Sequence, residues 1–299
     1  MRSERIGALA IVASAVGYGF VAVLLKLALE AGARPLPLAA WRFVVAAVAV
    51  WLLLAVRRRP LPSRAALPRL CGLGALYSMD ALLFTIALQW VAASTATLVF
   101  YAYPVAVVLL AAAFLSEPLT RRRLVACVLT VLGCALTAGG SPEGGRPLGL
   151  LLVLLAMSAL AVYIVSGRRI LAREPAHASA AVIITASAVI LVALAFAAGE
   201  IGLEGGRRAR ILVLLLAVVC TAFPVTLFVV GLKRVDAGRA AILSTLEPVV
   251  TVIVAAVLLG ERIGAVQVAG GVAILGGVLG LRSERPLPHA ECVTSLDSP

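Results

Sequence analysis

The sequence predicts an all-α integral membrane protein of ten transmembrane helices, arranged as two inverted five-helix repeats. Composition, run length and an internal repeat predict it. Of 299 residues, 63% are hydrophobic and 13% charged. A soluble domain built this way would expose a mostly apolar surface. Runs of about twenty apolar residues, enough to cross a bilayer core, recur along the chain. Backbone groups in lipid must be satisfied internally, and no stretch alternates like a barrel strand, so the spans are helices. Finally, Pro104-Val105 lies over Pro248-Val249, Leu115-Ser116-Glu117 over Leu259-Gly260-Glu261, and Gly133 over Gly277, all at an offset of 144. Ala93, Ala96, Val108, Ala111, Ala112 and Val128 recur as well. Small apolar identities are cheap in this chain; Pro, Glu and Gly carry the weight. A duplicated unit in a membrane protein points to a transporter.

The first span covers 6–29; its apolar run is too long for a signal-peptide core. The second, 36–56, closes on Arg57-Arg58-Arg59-Pro60, and 67–88 and 92–115 follow. Arg121-Arg122-Arg123 then leads into 124–138, and the polar stretch from Gly139 to Pro147 separates the halves. The second half reads 147–167, 178–198, 211–232, 237–259 and 265–281. The units are therefore 1–140, 141–285 and a polar, proline-punctuated tail, 286–299, expected to be disordered in the cytoplasm. Gly276 and Gly280 in the last span are spaced for close helix approach.

Lys and Arg in short loops orient the chain. Eighteen fall on the side of Arg2, Arg57, Arg121, Arg168, Lys233 and Arg282, against six on the side of Arg34, Arg146, Arg207 and Arg262. Both termini are expected in the cytoplasm. Five helices per copy is an odd number, so the second copy enters the membrane from the opposite face. Inverted copies place a solute site near the midplane between halves.

The net charge of +12 does not indicate nucleic-acid binding, because the Arg residues punctuate apolar runs. The five Cys are scattered without a CxxC, so neither disulfides nor a metal site is expected. No Walker motif, HExxH or GxSxG is present, so the chain is not expected to be an enzyme, use a cofactor or hydrolyse ATP.

A charge near the bilayer centre is costly unless paired or wet, so polar residues within spans are the candidates for function. Asp80 lies about 18 Å into the third span at ~1.5 Å per residue. Either it carries a proton or meets a cationic solute group, or it is held between helices. Glu247 lies about 12 Å from the cytoplasmic face. It precedes Pro248, which bends the ninth helix; its repeat counterpart is Tyr103, before Pro104. Arg42, about 9 Å deep, either binds a carboxylate or neutralises a group such as Asp80. Tyr77 shares a helix face with Asp80, and Tyr101 and Tyr163 complete the set expected at cavity depth. The counterpart of Asp80 is Pro224, so the site is asymmetric on a symmetric scaffold. Glu117 and Glu261 end the fourth and ninth spans and are expected to be architectural, each near the N-terminus of the next helix.

The chain resembles the EamA-type members of the drug/metabolite transporter superfamily. Phe20-Val21 with Lys26, Leu38 to Arg42-Phe43, Ala92-Ala93-Ser94, Tyr103-Pro104 and Ser116-Glu117-Pro118-Leu119-Thr120 carry the resemblance. The second half repeats it as Ala237-Gly238, Leu246-Glu247-Pro248 and Leu259-Gly260-Glu261-Arg262. Gly17-Tyr18-Gly19 stands where the family usually has Trp-Gly, and Ser116-Glu117 where it has Gly-Glu. The resemblance implies a central cavity and transport of small organic solutes, often export of amino acids or metabolites. The expected function is secondary export of such a metabolite across the inner membrane by alternating access, with protons as coupling partner. The alternative is a non-transporting sensor or accessory subunit on this fold. Neither the solute nor the oligomeric state follows from the sequence.

Overall fold

The computed structural model describes residues 2–58, 60–103, 105–107, 109–110, 121–139, 146–172, 174–232 and 246–280. Among them every regular element is helical. Pro104, Glu117 and the tail lie outside the described residues.

In chain order the helices are α1 (Arg2–Gly19), α2 (Val21–Glu30), α3 (Pro35–Arg57), α4 (Leu67–Ala87), α5 (Ala93–Phe100), α6 (Arg121–Gly139), α7 (Pro147–Ala172), α8 (Ala176–Ala197), α9 (Gly206–Ala217), α10 (Phe223–Leu232), α11 (Leu246–Leu259) and α12 (Ala265–Gly280). A short 3-10 turn, Arg64–Ala66, precedes α4. Six helical stretches among the described residues are long and apolar enough to cross a membrane, and α11 and α12 are shorter apolar helices. This is a multi-pass membrane protein.

Three expected spans contain a break; the fourth ends its first helix at Phe100 and turns at Tyr101-Ala102. The first divides at Phe20 into α1 and α2. Gly19 lacks a Cβ and has weak helix preference, and the site has no room for one. A Cβ there would come within 2.7 Å of Val250 and 3.1 Å of the Glu247 carbonyl. The eighth span divides at a π turn, Val218–Ala222, just before Pro224. Proline has no N–H for the carbonyl four residues back and its ring crowds that carbonyl, so the backbone widens there.

Packing runs mainly between the halves. α6 packs on α12, α4 on α7 and α8, α3 on α8 and α9, α1 on α10 and α11, α2 on α9, and α5 on α7 and α11. Exchanging each first-half span for its second-half counterpart returns the same set of pairs. The halves are thus interlocked. Gly133 of α6 permits one of these approaches, since a Cβ there would lie 2.7 Å from the Gly270 carbonyl and 2.8 Å from the Ile274 nitrogen. Gly276 has open space beside it, so the close crossing is at Gly133 and Gly270, not Gly276.

Candidate functional site

Arg42 is the buried cation among the described residues, with 5% of its surface accessible. It projects from α3 toward the π turn, where its Nε donates to Thr221 Oγ1 at 2.8 Å. Thr221 in turn donates to the Leu216 carbonyl at 2.9 Å. The guanidinium carbon lies 5.5 Å from the Phe43 ring centroid. A guanidinium has five N–H donors, and Thr221 takes one. Asp80, Tyr77, Tyr18 and Cys220 all lie within its electrostatic reach.

Asp80 comes from α4 and is 7% exposed; both Arg42 and Glu247 act on it electrostatically. Glu247, in the first turn of α11, accepts a hydrogen bond from the Tyr101 hydroxyl at 3.1 Å. One guanidinium and two carboxylates from three helices therefore share one interior region. Charged groups there are tolerated where they pair or meet water.

The chain has five tyrosines, and every one adjoins this region. Tyr77 stacks on Tyr163 with ring centroids 5.7 Å apart, and Phe43 meets Tyr77 edge-on at 5.3 Å. Tyr101 and Tyr103 meet edge-on at 5.8 Å. Tyr18 is electrostatically coupled to Tyr77, Glu247 and Tyr163. Tyr18, Tyr77, Tyr163 and Glu247 lie deep in the bundle, surrounded by protein, yet each keeps accessible surface. The region combines a guanidinium and two carboxyl groups with phenols that both donate and accept hydrogen bonds and rings that attract a cation.

Ser78 is buried but donates to the Ala75 carbonyl at 2.8 Å, on its own helix. Pro248 is buried in α11. Pro224 carries the π turn's distortion, and its carbonyl accepts from Ser14 Oγ at 2.8 Å. A Cβ on Gly17 would lie 2.7 Å from the Pro224 ring, so only glycine lets α1 approach here. Two residues of this region escape sequence reasoning, Tyr18 and Thr221. Tyr18 carries a signal in hindsight: flanked by Gly17 and Gly19, it is the only side chain in that tight stretch. Thr221 carries none beyond its place three residues before a helical proline.

Glu261 forms a second polar centre. Its carboxylate accepts from the Ala93 amide at 2.6 Å, the Ser94 amide at 3.0 Å and the Ser94 hydroxyl. Lys26 Nζ lies 3.2 Å away. Burial would raise its pKa, but the bonds from Ser94 and Ala93 and the charge of Lys26 outweigh it and hold the carboxyl below the usual range. Glu261 therefore caps α5, in the other half of the chain, rather than the following helix α12. The free N–H groups that can receive it are those of the first turn of α5. Gln267 of α12 adds bonds to Ser94 Oγ at 3.2 Å and Thr95 Oγ1 at 3.0 Å. No group of His, Cys, Asp and Glu among the described residues is arranged to hold a metal ion.

The model of the EamA-like transporter family matches this chain twice, over residues 5–139 and 147–283. The "Uncharacterized transporter YcbK" of Bacillus subtilis (strain 168) is 26% identical over 282 residues, covering 90% of each chain. A "Probable amino-acid metabolite efflux pump" of Salmonella typhimurium (strain LT2) is 30% identical over 302 residues, covering 95% of this chain and 98% of that one. A solved crystal structure aligns with a TM-score of 0.67 at 20% identity over 92% of this chain and 96% of the other. That likeness concerns the fold alone.

Proposed function

The chain belongs to the EamA-like transporter family, and on that premise we propose that it exports a small zwitterionic metabolite, an amino acid or close derivative. One observation carries this reading: Arg42, Asp80 and Glu247 meet in one interior region bordered by tyrosines. A guanidinium suits a carboxylate by paired N–H bonds. A carboxylate among aromatic rings suits an ammonium. The efflux-pump name of the Salmonella relative is in keeping with outward transport.

Transport proceeds by alternating access between inverted halves, 1–140 and 141–285, with ten spans and both termini in the cytoplasm. Helix pairing that is unchanged by exchanging the halves and the loop charge bias support this arrangement. Protons drive the cycle through Asp80 or Glu247, the two interior carboxyls beside the solute.

The test uses protein reconstituted into liposomes, with accumulation of radiolabelled amino acids driven by an imposed pH gradient. Wild type is expected to concentrate at least one member of the panel. Asp80→Asn or Glu247→Gln is expected to abolish accumulation while leaving exchange of solute across the membrane. Undiminished gradient-driven accumulation in both variants would sink proton coupling through these residues.

A further inference from the structure

Thr221 lies where the backbone departs from α-helical geometry, in the π turn Val218–Ala222, and its side chain is wholly buried. Its hydroxyl has one donor and two lone pairs. The donor goes to the Leu216 carbonyl at 2.9 Å, which leaves acceptor capacity turned toward α3. Arg42 Nε uses it at 2.8 Å. The donor–acceptor order therefore runs one way, from Arg42 through Thr221 into the backbone. One hydroxyl thus both donates inward and accepts from Arg42.

The repeat gives this contact a second meaning. At the offset of 144, Thr221 is the counterpart of Tyr77, and Pro224 is the counterpart of Asp80. Tyr77 and Asp80 both lie within electrostatic reach of Arg42. The equivalent positions Tyr77 and Thr221 thus both reach one guanidinium. The first half supplies a charge and a phenol. The second supplies a proline that widens the helix and a threonine that occupies the widened turn.

We propose that Thr221, placed by Pro224, is the positioning residue for Arg42, fixing its Nε edge so that the remaining guanidinium donors receive the solute's carboxylate. The inference rests on the role given to Arg42 above. Without the hydroxyl, Nε is a buried donor seeking another acceptor, and Asp80, already within its electrostatic reach, is a charged candidate. An Arg42 drawn to Asp80 loses the geometry for paired bonds to a carboxylate.

The experiment measures the half-saturation concentration in liposomes for the best-transported neutral amino acid of the panel. Its decarboxylated amine serves as the control solute. Thr221→Val is expected to raise the amino acid's half-saturation concentration about tenfold and to leave that of the amine unchanged. Thr221→Ser is expected to restore most of the affinity. In an Arg42→Gln background, Thr221→Val is expected to add no further loss, because the pair acts as one unit.

Equal losses for the amino acid and the amine, or losses that add in the double variant, would assign Thr221 a merely structural role and overturn the proposal. If Thr221→Val does not fold, Pro224→Ala replaces it and is expected to give the same carboxylate-selective loss. If Arg42→Gln alone leaves the amino acid's half-saturation unchanged, or no panel member is transported, the assignment of Arg42 fails, and this proposal with it. A loss with Arg42→Gln and none with Thr221→Val refutes the positioning role alone.

Discussion

Glu261 accepts the backbone N–H of Ala93 at 2.6 Å although 168 residues separate them. The bond joins the loop after α11 to the first turn of α5, and Lys26 in the middle of α2 completes the charge balance. Buried and multiply hydrogen-bonded, this carboxylate ties the second half of the chain to the first.

Its loss is expected to lower stability. Glu261→Gln should cost about 2 kcal/mol, the scale of a hydrogen bond to a charged group. Because the folded-state pKa lies below the ordinary one, the stabilisation is complete above the free carboxyl's value of about 4.3 and is lost as pH falls through the folded-state value. Melting temperatures of wild type and Glu261→Gln in detergent should differ at pH 7, and the gap should shrink as the pH falls below the free carboxyl's range. A gap that persists at low pH would refute an ionised Glu261 as its source.

Tyr101→Phe removes the hydroxyl that donates to Glu247 at 3.1 Å. The ring and its edge-on contact with Tyr103 remain. Solute affinity, read by thermal shift across an amino-acid panel, is expected to fall about five- to tenfold, consistent with one hydrogen bond to a charged acceptor. Unchanged affinity would remove Glu247 from the solute's surroundings.

Gly17→Ala places a methyl group 2.7 Å from the Pro224 ring and 3.0 Å from the Val219 carbonyl. Backbone and proline ring cannot yield cheaply, so a loss of about 1–3 kcal/mol is expected. Gly276→Ala meets nothing within 4 Å and serves as the matched control, with little change expected. Equal unfolding temperatures for the two variants would argue against this α1–α10 crossing.

The exposed ion pairs of Arg34 with Glu200 and Glu204, at 3.1 and 2.6 Å, are expected to matter little. Surface pairs contribute about 0–1 kcal/mol and weaken with salt. Glu204→Gln should therefore shift the melting temperature far less than Glu261→Gln, and less again at high salt. A larger shift would make this cluster part of the fold's core support.

Orientation is open to a direct check. In a variant lacking its native cysteines, a cysteine at Ser63 should resist a membrane-impermeant maleimide in intact cells, while one at Gly202 should react. The opposite pattern would reverse the topology expected from the loop charges.

Much of the fold is legible in the residues because hydropathy and run length are local properties. The composition sets the solvent, and α3, α4, α8 and α12 begin and end within a few residues of their apolar runs. The division at Phe20 and the π turn at Val218–Ala222 leave no trace in hydropathy, which does not register how backbone carbonyls are shared. For the site, Asp80, Glu247, Arg42, Tyr77, Tyr101, Tyr103 and Tyr163 stand out because polar groups are rare in apolar spans. Tyr18 and Thr221 do not, since their surroundings come from other helices.

The sequence alone determined a helical membrane protein with a duplicated unit and a small set of interior polar groups, because each of these follows from nearby residues or from chain-to-chain register. Tertiary structure decided which groups meet: Arg42 with Thr221 across 179 residues, Tyr101 with Glu247 across 146, and Glu261 with α5 rather than its neighbour α12. These pairings arise because the halves interlock, and interlocked helices find their partners by shape and by unmet backbone donors, neither of which is written along one span.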